Sequence, residues 1–190
     1  NQMKVLRKIM STTLGNKRLP MLIIDQNPGI IDRSIFDART TAIYGFSIFG
    51  TNHCYVLNKK NKIDYKSLNN FLEKYGKSKF FVFGFTSLVY ENLINKLTTR
   101  LLKSNFKNGI LLHGGGWKKI EKFKIDSKLF KKKLIKKINL NKIYNYYGLV
   151  EQAGSIFVES RKCGYFHTSV YSDIFVRDKN FDVLKNKKKG

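Results

Sequence analysis

The chain has 190 residues, of which 42% are hydrophobic and 14% aromatic, and its formal net charge is +24 at pH 7. This composition excludes a disordered chain, because it contains enough apolar side chains to form a buried core. No apolar run approaches the roughly 20 residues of a membrane-spanning helix. The N-terminus has no signal-peptide core, so a cytoplasmic protein is expected.

The positive charge comes mainly from lysine, since the chain has 30 Lys and only 7 Arg, together with 17 Asn. A basic domain of this kind can bind nucleic acid, but base and phosphate recognition generally relies on the planar guanidinium of Arg. Excess Lys, Asn, Ile, Phe and Tyr is also what an AT-rich genome encodes at exposed positions of any protein. A nucleic-acid-binding domain therefore stays an alternative, and no specific nucleic-acid partner is expected.

The first half of the chain predicts alternating strands and helices. Residues 21–25 form an apolar strand introduced by Pro20, and residues 37–50 predict a buried helix that ends at Gly50. Asp64 is a candidate N-cap for the next helix. The apolar stripe of that helix has the spacing i, i+3, i+4, i+7 and consists of Leu68, Phe71, Leu72 and Tyr75.

The second half continues the alternation and then changes. Residues 80–83 predict a strand buried on both faces, and the following helix has an apolar residue at every fourth position, at Val89, Leu93, Leu97 and Leu101. Strands at 110–112 and 143–146 flank a helix capped by Asp126. Short strands without helices follow at 155–160, 173–177 and 181–184. The fold class is therefore α/β, a largely parallel sheet with flanking helices and a small antiparallel β element at the C-terminal end.

Three glycine-containing loops directly follow predicted strands. They are Gly84-Phe85-Thr86, Gly114-Gly115-Gly116-Trp117 and Tyr147-Gly148-Leu149-Val150-Glu151. In open parallel sheets, ligands bind outside the carboxyl ends of the strands, and glycines let backbone N–H groups approach an anionic ligand closely. Tyr147 provides an aromatic face and Glu151 a carboxylate, which together suit a nucleotide.

Each of these signals has an ordinary structural alternative. A triple glycine after a strand is often only a turn, Tyr146 and Tyr147 can be core residues, and a single loop carboxylate is usually solvated. Trp117 is expected to pack as a lid over the glycine loop. Cys54 and Cys163 lie far apart without a C-x-x-C pattern, so we expect neither a disulfide nor a metal site, and both thiols are interpreted as structural or incidental.

The motif Tyr147-Gly148-Leu149-Val150-Glu151 resembles the Tyr-Gly-x-x-Glu motif of adenylate-forming enzymes. From about residue 5 to 185, the chain is similar in particular to the acyl-protein synthetases, also called long-chain-fatty-acid–luciferin-component ligases. The pair Gly-Gly-Trp-Lys and Tyr-Gly-x-x-Glu-Gln is the most specific part of the resemblance. The matching stretches are residues 15–25, 38–39, 83–86, 113–119, 147–152 and 167–178.

The resemblance implies a fold and a reaction. The chain would be part of the large N-terminal domain of an adenylate-forming enzyme, with residues 1–150 as its nucleotide-binding part and 151–190 as a β-rich appendage. ATP and Mg²⁺ would activate a fatty acid or related carboxylic acid to an acyl-adenylate. The acyl group would then pass to an enzyme cysteine and onward to a reductase partner.

The resemblance also implies roles for individual residues. Glu151 would be the catalytic residue and the Mg²⁺ ligand, while Phe85 and Thr86 would lie near the acyl channel. The remaining implied positions would all belong to the nucleotide-binding site, and they are Gly114, Gly115, Gly116, Trp117, Tyr146, Tyr147, Gly148 and Gln152.

The chain departs from the wider pattern of adenylate-forming enzymes. Val150 stands where a Thr usually precedes the glutamate, so its hydroxyl contact with phosphate is missing. The Ser/Thr/Gly-rich loop that grips pyrophosphate is not found, and neither is a C-terminal domain with a catalytic lysine or an acyl-accepting cysteine. We therefore expect a central fragment cut at both ends, with an inactive scaffold relative as an alternative.

Overall fold

A computed structural model of the chain describes residues 2–28, 38–148 and 155–184. Within these ranges the strands form one seven-stranded sheet. In chain order the strands are β1 (Leu19–Gln26), β2 (Gly50–Leu57), β3 (Phe80–Phe85), β4 (Gly109–Gly114), β5 (Lys142–Tyr147), β6 (Phe157–Glu159) and β7 (Phe166–His167). Their order across the sheet is β2-β1-β3-β4-β5-β6-β7. The first five are parallel to their neighbours, and β6 and β7 continue the sheet antiparallel.

Helices cover both faces of this sheet. They are α1 (Gln2–Leu14), α2 (Ala38–Ser47), α3 (Tyr65–Tyr75), α4 (Thr86–Val89), which continues as a π-helix over Tyr90–Lys96, and α5 (Ser127–Ile138). Short 3₁₀ turns lie at Thr99–Leu101 and Lys118–Phe123. The described helices lack the length and apolar character needed to span a membrane.

Alternate residues of each central strand face different helices. Met21 and Ile23 of β1 pack with α1 and α2, whereas Leu22 and Ile24 pack with α3, α4 and α5. All four side chains are fully buried, as expected for parallel strands covered on both faces. The α/β class and the C-terminal antiparallel element are therefore confirmed.

The predicted helix caps and most of the predicted strands are confirmed. The Asp64 carboxylate accepts a hydrogen bond from the backbone N–H of Ser67, and the Asp126 carboxylate accepts one from the N–H of Leu129. These bonds satisfy backbone donors that have no partner inside the helix. The strands β1, β3, β4 and β5 each contain the apolar run that predicted them.

Other predictions need correction. The helix predicted to end at Gly50 ends at Ser47, and Gly50 instead begins β2, where a Cβ would lie only 2.5 Å from the Met21 sulfur. The predicted helix through Leu101 ends at Lys96, and Leu101 is exposed. Its four-residue apolar spacing exceeds the 3.6 residues of an α-helical turn, and this segment winds as a π-helix.

The far C-terminal strands are also different from the prediction. Residues 173–177 and 181–184 form only one isolated antiparallel bridge, between Arg177 and Val183. The strand that follows β6 is instead β7, whose two residues carry too short a pattern to be recognised. Helix α1 was likewise not predicted.

Candidate active site

The register of three neighbouring strands places predicted site residues side by side. Phe85 at the end of β3 is paired with Gly114 at the end of β4, and Gly114 is paired with Tyr146 near the end of β5. Because paired strands are about 4.8 Å apart, these three positions span roughly 10 Å. The three glycine-containing loops therefore leave the sheet from the same carboxyl edge.

Gly114 and Tyr146 form a close contact that leaves no space for a side chain. A Cβ atom at Gly114 would lie 2.5–2.7 Å from three ring atoms of Tyr146. The ring is held in turn by Phe46, at 4.9 Å between centroids, and by Phe83, at 6.2 Å. Burial raises the pKa of the Tyr146 hydroxyl. Tyr146 therefore supports the glycine loop from the core.

The backbone of the glycine loop is accessible beside this contact. Gly115 and Gly116 are exposed, and Gly115 has a φ of +76°, in the left-handed region that favours glycine. A Cβ there would also approach the Phe85 ring to 3.1 Å. Glycine at Gly115 therefore allows the backbone to turn with a positive φ, and it leaves the backbone accessible to a ligand.

Tyr147 presents an exposed aromatic surface next to the loop. Its side chain is 57% exposed, and its ring packs at 6.1 Å from Phe157 of β6. A Cβ added at the next residue, Gly148, would lie 3.6–3.8 Å from Ile156, which is an ordinary contact distance. Tyr147 is therefore oriented by β6 and still has a face free for stacking.

Trp117 lies differently from the predicted lid. Its side chain is only 9% exposed and packs edge-on against Tyr90, at 4.9 Å between centroids, and against Phe130 of α5. It belongs to the core between the sheet and α3–α5. It thus anchors the end of the glycine loop and presents little surface to a ligand.

A buried hydrogen-bond network joins the start of α4 to the end of β4. Thr86 Oγ1 lies 3.0 Å from His113 Nδ1 and 3.1 Å from the Gly114 carbonyl oxygen. The carbonyl can only accept, so the Thr86 hydroxyl donates to it and His113 Nδ1–H donates to Thr86. Burial, and then the charge of Lys131, lower the pKa of His113 to about 3. His113 is therefore neutral, and its Nε2 has no partner in the described part of the chain.

Two predicted site residues, Glu151 and Gln152, lie outside the described residues. Among the residues that are described, no group of three or more His, Cys, Asp or Glu side chains has an arrangement suited to a metal ion.

The fold and the loops can now be compared with known proteins. The family model described as acyl-protein synthetase, LuxE, matches residues 1–190. The chain belongs to this family. No curated protein sequence matches it significantly.

The solved structures that resemble this chain include holo-PA1221, an NRPS protein containing adenylation and PCP domains bound to a vinylsulfonamide inhibitor. The TM-score is 0.49 at 16% sequence identity, and the match covers 91% of this chain. The chain spans 28% of that protein.

This member of the acyl-protein synthetase family also has a buried ion pair at the carboxyl edge of the sheet, which was not predicted from the sequence. Asp25 near the end of β1 is 2% exposed and binds the Arg39 guanidinium of α2 through both carboxylate oxygens. β1 is adjacent to β3, so the pair lies beside the Phe85 end of the row. The sequence contains a signal that could have indicated this pair, because Asp25 lies at the end of an apolar strand and Arg39 lies at the start of the next helix.

Cys163, interpreted from the sequence as structural or incidental, has a histidine as a polar partner. Its Sγ lies 3.0 Å from Nε2 of His167, across the hairpin that joins β6 and β7. The hairpin was not predicted because β7 is so short, and without it nothing brings residues 163 and 167 together. Cys54, by contrast, is half-buried on β2, and burial raises the pKa of its thiol to about 11.

Proposed function

We propose that the chain contributes the nucleotide-binding part of an enzyme that activates a fatty or related carboxylic acid with ATP. The carboxylate would attack the α-phosphate, so that an acyl-adenylate forms and pyrophosphate leaves. The observation that carries this proposal is the row Phe85–Gly114–Tyr146 at one sheet edge of a member of the acyl-protein synthetase family.

The exposed groups at this edge suit a nucleotide. The open backbone of Gly115 and Gly116 can donate hydrogen bonds to an anionic or flat ligand, and the free face of Tyr147 can stack on a purine. Their neighbours Tyr146 and Trp117 would act from the core by holding the loops in place. Gly148 and Gln152 complete the proposed nucleotide contacts.

The acid would bind on the β3 side of the same edge. Phe85 is half-buried and lies against Gly115, which provides an apolar surface for an acyl chain. Thr86 is fixed by His113 and Gly114, so its role would be to hold the two loops at a constant separation. Such preorganisation keeps two anionic reactants in line.

Glu151 is proposed as the Mg²⁺ ligand and catalytic residue, since its carboxylate, three residues after Gly148, is a hard oxygen ligand of the kind that Mg²⁺ prefers. When bound, Mg²⁺ would neutralise the negative charge on the reacting phosphates. The net charge of +24 would help to attract these anions.

The later steps and the setting are part of the same proposal. The acyl group would pass to a protein cysteine and then to an acyl-accepting reductase partner, in the cytoplasm. Residues 1–150 would form the nucleotide-binding part and 151–190 a β-rich appendage of the same domain.

ATP–pyrophosphate exchange on the full gene product tests the proposal, with a panel of fatty and other carboxylic acids. We expect at least one acid to support exchange, and Glu151→Gln to lower the rate by about 100-fold, the usual effect of removing one electrostatic group. Tyr147→Ala should raise the KM for ATP while Tyr147→Phe retains it.

Glu73→Gln is the matched control, because Glu73 is an exposed carboxylate paired with Lys103 on the surface. It should leave exchange unchanged. Absence of exchange with every acid, together with no effect of Glu151→Gln on nucleotide binding, would refute the proposal and favour an inactive scaffold.

A further inference from the structure

A cysteine and a histidine meet on the hairpin between β6 and β7. Cys163 is exposed, and its Sγ lies 3.0 Å from His167 Nε2. The His167 hydrogen bond, followed by bonds from the Tyr165 backbone and the Ser160 hydroxyl, lowers the pKa of the Cys163 thiol to about 7. A thiol held in this way can give its proton to the imidazole and become a thiolate nucleophile.

Several charged groups belong to the turn that carries Cys163 or line the cavity beside it. Arg161 and Lys162 belong to the same turn, and Lys8 of α1 lines the adjoining cavity. The Glu159 carboxylate lies near Gly164 of the turn, but its Oε1 is ion-paired with Lys131 at 2.7 Å. Its negative charge is therefore compensated and does not oppose ionisation of the thiol.

His167 also lines a cavity of about 510 Å³ between α1 and the hairpin. This volume is within the range of small-molecule sites. Lys8 and Arg161 contribute cations to its lining. Two cations of this kind suit the carboxylates of a small organic anion.

The sheet order excludes a disulfide within the described chain. Cys54 is on β2, and β6 lies five strand positions away. At about 4.8 Å per position this is roughly 24 Å, whereas a disulfide requires Cα atoms within about 7 Å. Oxidation of Cys163 to a disulfide therefore needs a sulfur from outside the described residues.

We propose that Cys163 and His167 form a thiol-modification site for low-molecular-weight, anionic disulfides. The thiol proton moves to His167 Nε2, and the Cys163 sulfur attacks one sulfur of the disulfide. Its S–S bond breaks as the new one forms, and the other half leaves as a thiolate that takes up the proton. Cys163 is oxidised to a mixed disulfide while the departing half is reduced to a thiol. This site goes beyond the proposed function and does not depend on it.

The first test uses oxidised glutathione as the anionic probe, with mass spectrometry of the full gene product at pH 7. Lowering the thiol pKa from 9.0 to about 7 raises the thiolate fraction roughly 50-fold and lowers the nucleophilicity of the sulfur roughly eightfold. Cys163 should therefore react about fivefold to tenfold faster than an ordinary exposed thiol. Cys54 is the internal control and should stay unmodified.

The choice of disulfide tests the cavity. Oxidised glutathione should react faster with Cys163 than the neutral bis(2-hydroxyethyl) disulfide or the cationic cystamine. Lys8→Gln with Arg161→Gln should remove this preference, whereas Lys66→Gln on α3 should leave it intact. Equal rates with all three disulfides, or a disulfide-linked dimer in place of the mixed disulfide, would overturn the proposal.

The histidine is tested by a pH profile. His167→Gln should slow the modification of Cys163 about fivefold at pH 7, because the thiolate fraction of Cys163 falls. At pH 10 the Cys163 thiol is ionised in both proteins, and the variant should react as fast as or faster than the wild type, because the less acidic thiol is the more nucleophilic one. His53→Gln, at an exposed histidine of β2, should change neither rate. An unchanged profile in His167→Gln, or a wild-type midpoint near 9, would show that the pair does not form a reactive thiolate.

Discussion

Replacing Gly114 by alanine probes the contact that holds the central loop of the candidate site. The new Cβ would lie 2.5–2.7 Å from three atoms of the Tyr146 ring, well inside van der Waals contact, and Phe46 and Phe83 keep the ring from moving away. Overpacking of this kind destabilises a protein by about 1–3 kcal/mol. For a domain of this size, that corresponds to a fall in Tm of roughly 3–10 °C.

Thermal unfolding of the full gene product measures this effect, with two matched variants. Gly148→Ala is the control in the neighbouring loop, because its Cβ would meet Ile156 at 3.6–3.8 Å, an ordinary contact. It should change the free energy of unfolding by less than about 0.5 kcal/mol. Tyr146→Leu should recover part of the loss in Gly114→Ala. If the effects of Gly114→Ala and Tyr146→Leu are simply additive, the ring does not limit the space at Gly114.

Two further predictions concern buried charge. The folded protein keeps His113 neutral down to about pH 3, whereas the unfolded chain binds a proton there, so the free energy of unfolding should fall as the pH drops below about 6.5. Between pH 7 and 5, urea unfolding should show a loss about 2 kcal/mol larger in the wild type than in His113→Phe. Equal losses in the two proteins would contradict the burial of a neutral imidazole. Arg39→Met should destabilise the protein by about 3 kcal/mol, because it leaves the Asp25 carboxylate buried without its guanidinium partner. Adding Asp25→Asn to Arg39→Met should restore much of the stability, and no rescue would refute the pairing. As a control, replacing Lys96 of the exposed pair Lys96–Glu91 by Met should cost less than about 1 kcal/mol.

The sequence alone determined the central β-α-β series of this protein, because the signals involved are local. Continuous apolar runs are required by parallel strands buried on both faces, and they marked β1, β3, β4 and β5. Asp64 and Asp126 marked helix starts because a short carboxylate can satisfy unpaired N–H groups three residues on. The shared edge of the glycine loops also followed, since parallel strands place their carboxyl ends together.

Tertiary structure decided what depends on contacts between distant residues. The sequence predicts Gly50 as the end of a helix, but in the structure Gly50 packs closely against Met21 of β1. The sequence likewise predicts Trp117 as part of a ligand loop, but Tyr90 and Phe130 pack around its ring. His113 is neutral because the core removes it from water. Cys163 has an imidazole 3.0 Å from its sulfur only because two residues of β7 return the chain to β6, an approach that no local pattern in the sequence specifies.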